Sequence, residues 1–135
     1  MCYWERLSGF GGGIMKDIIA NELTSHPTIV TISPTDNGFK SSGCATWTDD
    51  LSAITSSPNA DFGPGRYIVG TDIAPGTWRS PGGDLCYWER LRGFSGEVLK
   101  DVIANDARST QAIVTISPGD TGFSSTGCGS WSKLN

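Results

Sequence analysis

Two pairs of cysteines and a recurring set of aromatic side chains are the residues of this chain whose types and spacing could do chemistry. Cys2 and Cys44 stand 42 positions apart, and so do Cys86 and Cys128. Zinc sites are usually built from close CxxC or HxxxH pairs. The chain has neither, and His26 is its single histidine. The cysteines are therefore expected to form disulfides, which places the chain in an oxidising, extracytoplasmic compartment. Four cysteines allow three pairings.

Tyr3, Trp4 and Trp47 return as Tyr87, Trp88 and Trp131, and Glu89 and Arg90 follow the second Tyr-Trp pair. Flat Trp and Tyr rings with polar neighbours serve sugar and peptide sites. Tyr3, Trp4, Trp47, Tyr87, Trp88, Trp131, Glu89 and Arg90 are therefore the candidate ligand-binding set. The competing reading is structural. A Trp beside a disulfide is what a small β core requires, and a neighbouring Glu and Arg commonly form a plain ion pair.

Other chemistry finds less support. Serine-hydrolase catalysis needs a base beside its nucleophile; His26 stands next to Pro27 in a predicted loop, and its counterpart in the repeat described below is Thr110. Glycosidase chemistry needs two carboxylates across a cleft. Glu5 and Glu89, Asp17 and Asp101, and Asp36 and Asp120 recur, but such carboxylates read first as solvated or turn-forming. Of the glycines in 9–13, Gly11 and Gly13 become Ser95 and Glu97 in the second copy, and no Lys-Ser or Lys-Thr follows, which argues against a P-loop. The Asp36 and Asp120 turns carry one carboxylate each, short of a calcium loop. No catalytic residue, metal ligand or cofactor is assigned.

The elements that position these residues are organised by an internal repeat. CYWERL at 2–7 returns at 86–91, IVTISP at 29–34 returns at 113–118, and 28 of the 46 positions from Cys2 to Trp47 are identical at an offset of 84. That period is far longer than a solenoid repeat and marks duplication of a whole small domain. Each copy is expected to close its own bridge, Cys2–Cys44 and Cys86–Cys128. A loop of that length contributes roughly 4 kcal/mol in the chain-entropy model, which a thin core needs.

The copies are not equally complete. RYIVGTDIAPGTWRSPGGDL at 66–85 precedes the second copy, and nothing equivalent precedes Cys2. It reads as a hairpin, with strands at Tyr67–Val69 and Thr77–Arg79 around an Ala-Pro-Gly turn. Residues 49–65 are polar and rich in Ser, Pro and Gly, the composition of a linker. The expected division is a first repeat at 1–48, a linker at 49–65 and a complete second repeat at 66–135.

Within CYWERL, strand alternation puts Cys86, Trp88 and Arg90 on one face and Tyr87, Glu89 and Leu91 on the other. Residues 112–116 and 123–128 are expected strands. Residues 97–105 fit either a short helix or a strand, with strand preferred. The fold class is all-β: two small antiparallel sandwich-like or barrel-like domains, each with one disulfide.

Net charge is −4 and the ten basic residues form no cluster, which excludes a nucleic-acid footprint. No apolar run is long enough to span a membrane. No signal peptide is visible, and the abrupt start at Met1-Cys2-Tyr3 suggests a fragment of a longer precursor.

The order GTDIAPGTW at 70–78, CYWERL at 86–91, VIAND at 102–106, VTISPGD at 114–120 and GFSSTGCGSW at 122–131 resembles an uncharacterised domain of secreted proteins and lipoproteins of actinobacteria and related bacteria. The resemblance covers nearly all of the second copy and residues 2–47 of the first. It implies a secreted or surface-anchored location and a compact β fold, and brings no catalytic residues. The first copy departs from the pattern by lacking the preface.

The expected function is a non-enzymatic extracytoplasmic binding module for a cell-wall glycan, another saccharide or a surface protein, since linked weak sites gain avidity. The alternatives are a structural or adhesive envelope protein and a small secreted hydrolase. The first copy's uncovered face and edge are expected to be covered by its tandem neighbour or by a second chain in a domain-swapped or edge-paired dimer.

Overall fold

In the computed structural model, which describes residues 1–134, the shared CYWERL run forms an interior strand of its sheet in both repeats. The first repeat contributes β1 (Cys2–Leu7), a helical turn α1 (Ile14–Asp17), β2 (Ile18–Thr24) and β3 (Gly38–Ser42). The second contributes β4 (Gly65–Ile68), β5 (Gly76–Ser80), β6 (Cys86–Leu91), a helical turn α2 (Val98–Asp101), β7 (Val102–Arg108), β8 (Ala112–Ile116), β9 (Gly122–Thr126) and β10 (Ser132–Lys133). The protein is all-β, with disulfides Cys2–Cys44 and Cys86–Cys128.

The second repeat is a two-sheet sandwich. A sheet ordered β4-β9-β6-β7 faces a sheet ordered β10-β5-β8. Strand alternation directs Trp88, Phe123 and Ser125 between them, and β5 and β8 add Trp78, Ala112, Val114 and Ile116. Phe62, from the stretch read as a linker, sits at the middle of this core. Its ring lies 4.9–6.4 Å from those of Tyr67, Trp78, Phe123 and Trp131, and its backbone exchanges two hydrogen bonds with Trp131. Upstream of it, the Ile54 amide and the Thr55 hydroxyl also bond to Asp72.

Two local expectations are corrected. The preface is not a hairpin: β4 pairs with β9 and β5 with β8 and β10, so its strands enter different sheets. The connection is pinned by the buried Asp72, whose carboxylate accepts the amides of Ile68 and Ile54 and so fixes a crossover between layers. Residues 97–105 are half helix and half strand, α2 running directly into β7. Asp101 accepts from the Ser95 hydroxyl and the Gly96 amide, which curls the loop into a helical turn before the apolar run extends.

The first repeat has only the sheet β2-β1-β3. Its IVTISP segment forms no strand, although the same six residues include most of β8 in the second repeat. The cause is the missing partner: β8 pairs with β5, and the first repeat has no β5. The loop 93–97 of the second repeat takes that place. Thr31, the counterpart of Thr115, donates its amide to the Phe94 carbonyl. Arg6 donates to the Ser95 carbonyl and lies 3.4 Å from Glu97. Trp4 packs against Gly96, where an added Cβ would come within 2.7 Å of its ring; Gly96 also has φ of +81°, so this approach requires glycine. The face left open by the missing strands is thus covered by the tandem neighbour.

Candidate functional site

The structure divides the candidate set between the two faces of each CYWERL strand. Trp4 and Trp131 are wholly buried, and Trp88 stacks on Phe123 beneath the second sheet. Trp47 packs edge-on against Phe39. Trp4 and Trp131 belong to the interior, which corrects their assignment to a binding platform, because a ring with no accessible face cannot meet a ligand; Trp47 and Trp88 are partly buried. Trp131 donates its indole N–H to Ser125 Oγ at 3.0 Å, and Trp4 donates to Glu22.

Arg90 is partly buried and engaged within its own repeat. Its guanidinium makes two hydrogen bonds to Asp120, at 2.7 and 3.0 Å, and Asp120 in turn accepts the Ser117 amide. Arg6 repeats this arrangement with Asp36 and Ser33. The hydrogen bonds from Arg6 hold Asp36 below the usual carboxylate range, and the guanidinium is raised in return. Glu89 and Arg90 therefore do not act together; adjacent residues on a strand point to opposite faces.

Tyr3, Tyr87 and Glu89 remain on the outer face. The Tyr87 hydroxyl donates to Glu89 Oε2 at 2.9 Å and accepts from Asn105 Nδ2 at 3.1 Å. Desolvation first, with the Glu89 carboxylate adding to it, raises the Tyr87 hydroxyl above its ordinary pKa, so it stays a donor. In the first repeat Asn21 donates to the Tyr3 hydroxyl at 3.2 Å, and Lys40 approaches Glu5 at 3.8 Å. Each repeat thus presents a half-exposed Tyr ring, an Asn amide and a largely buried Glu on three neighbouring positions of its outer sheet. The asparagines were missed from sequence because they lie 18 residues from their tyrosines; their shared offset of 84 was the available signal.

In the second repeat Tyr87 and Glu89, without Asn105, floor a cleft of about 260 Å³ between the copies, walled by Arg66, Glu22 and His26 and edged by Ser124. It adjoins a second hollow of about 370 Å³ that extends past Pro27 towards Trp47. Glu22 bonds Trp4, Thr28 and Arg66 at once, so it braces the cleft wall. Among the described residues no three His, Cys, Asp or Glu side chains gather as a metal site would require.

A family model, the Rv1352-like extracellular domain, matches residues 1–48 and 59–132. The chain belongs to this family. Its match takes in both sheets built on CYWERL as well as Phe62, the residue upstream of β4 that completes the second core. No curated protein and no solved structure matches the chain. As a member of this family the protein is extracellular, in keeping with its two disulfides. No helix among the described residues is long and apolar enough to cross a membrane.

Proposed function

We propose that the protein is a non-enzymatic binding module of the bacterial cell envelope, and that it takes a saccharide on its outer sheet faces. The observation that carries this is the recurrence of one constellation on the outer faces of both repeats, a half-exposed Tyr3 or Tyr87 and an exposed Asn21 or Asn105 beside a largely buried Glu5 or Glu89. A sugar offers an apolar ring face and a rim of hydroxyls. A Tyr ring beside an amide and a carboxylate matches both. In the second repeat the cleft adds Arg66, Ser124 and His26 as further polar contacts. Two weak sites on one chain gain avidity on a polymeric glycan.

Glu22 and Glu89 both line the cleft, and glycosidase chemistry needs two carboxylates across such a cleft. Glu22 is already engaged by an indole N–H, a hydroxyl and a guanidinium, so it is poorly placed to move a proton, and the binding reading is preferred. The burial of Trp4 and Trp131 supports a second reading, an adhesive or structural envelope protein with no small ligand.

A glycan array probed with the intact chain tests the proposal. Binding to envelope-type polysaccharide is expected. Tyr87→Ala should weaken it by about tenfold or more, while Tyr87→Phe keeps the ring and retains most of it. Absence of binding to any glycan, or binding indifferent to both Tyr3→Ala and Tyr87→Ala, would overturn it in favour of the structural reading.

A further inference from the structure

The two helical turns invert the usual polarity of a surface helix. In α1 and in α2 the buried residue is the aspartate, Asp17 or Asp101, and the apolar residues point to solvent. Met15 is 97% exposed and its counterpart Leu99 is fully exposed; Ile14 and Val98 are exposed beside them. The carboxylates explain the inward half of this pattern. Asp17 accepts the Gly13 amide, and Asp101 accepts from Ser95 and Gly96, so each turn is folded around its aspartate. Nothing inside the chain explains the outward half. The copies differ in identity here, Ile-Met against Val-Leu, yet agree in being apolar.

The first repeat carries the pattern further. Phe94, its ring edge seated on Gly122, is buried, but its counterpart Phe10, seated on Gly38 in the same way, is 77% exposed, and the exposed Ile14 and Met15 follow it across the Gly11–Gly13 run. Lys16 follows directly, and among the described residues it forms no ion pair. Lys100 holds the equivalent place in the second repeat, 3.8 Å from Glu97.

We propose that these projecting turns, led by Phe10, Ile14, Met15 and Lys16, are membrane-contact tips that dip into an anionic lipid surface. Met15 and Leu99 rest on no neighbouring surface and stand on two four-residue turns, a narrower footing than the broad patch that a protein interface buries. They suit a medium that closes around them. An apolar tip with a lysine at its base matches the acyl boundary and an anionic headgroup layer respectively. The net charge of −4 disfavours general attraction to such a surface, so contact is expected through the tips alone.

Co-sedimentation of the intact chain with vesicles of phosphatidylcholine containing 30% phosphatidylglycerol tests this, with pure phosphatidylcholine as comparison. The wild type is expected to sediment with the anionic vesicles, less with the neutral ones, and less at high salt. The double substitution Ile14→Ser, Met15→Ser should reduce partitioning by about tenfold or more, and Lys16→Glu several-fold. Thermal unfolding of these variants should match the wild type, because the side chains bear on no core. The proposal fails if the wild type stays in the supernatant at every lipid concentration, or if the variants partition as the wild type does. It fails too if the tips instead drive self-association, seen as a rise in light scattering that the double substitution abolishes.

Discussion

Arg6 donates to the main-chain carbonyl of Ser95 at 2.8 Å, a bond that spans 89 positions of sequence and ties the first repeat to the second. The same guanidinium holds Asp36 of its own repeat through two further hydrogen bonds. One side chain therefore closes both the loop inside the first repeat and the joint between the two. Arg90, its counterpart, has only the first of these duties.

Arg6→Ala is accordingly expected to destabilise the chain by about 3 kcal/mol, because it leaves the buried Asp36 carboxylate without its cation. Arg6→Lys should recover only part of this, since an ammonium cannot reproduce the planar fork. Urea unfolding of the intact chain measures both. A loss below ~1 kcal/mol for Arg6→Ala, the range of exposed pairs, would show that the joint is not held this way.

Phe62→Ala should cost about 3–5 kcal/mol, the range for truncating a buried aromatic, because its ring touches four others in the second core. Trp131→Ala should fall in the same range. Thermal melts decide the matter. An unchanged melting temperature for Phe62→Ala would mean that residues 49–65 act as a passive tether, and an unchanged one for Trp131→Ala would return that ring to the surface.

Stability should fall steeply in acid. Asp36 is held below the normal carboxylate range chiefly by its hydrogen bonds from Arg6. A carboxyl whose folded pKa lies below its unfolded value, near ~3.9, contributes stability that is present above the unfolded value and lost as pH falls through the folded one. Denaturation midpoints are expected to be flat from neutral pH to about 5 and to drop below about 4. Asp36→Asn should be less stable at neutral pH and show a shallower acid slope. A variant whose slope equals that of the wild type would assign the acid sensitivity to other groups.

The amino-acid sequence by itself determined the repeat, the all-β class and both disulfides, because these follow from local alternation and from a duplication that pairs each cysteine with the one 42 positions on. It also sorted CYWERL into its two faces, since a strand alternates whatever surrounds it. Which face would be accessible was not legible. Tyr, Trp, Glu and Arg occur both at sites and in cores, and only the stacking of a second sheet on one side set Trp88 and Arg90 between the layers and left Tyr87 and the largely buried Glu89 on the opposite face. The fate of IVTISP shows the same limit. Identical residues extend as β8 where β5 lies alongside and form no strand where it is absent, because backbone pairing is a property of two segments and not of one. The composition of residues 49–65 is that of a tether, and Phe62 became a core residue only because the second sandwich has a gap that its ring fills. Tertiary structure also decided that the loop 93–97 should stand in for the first repeat's missing strand, since that depends on how two folded units meet.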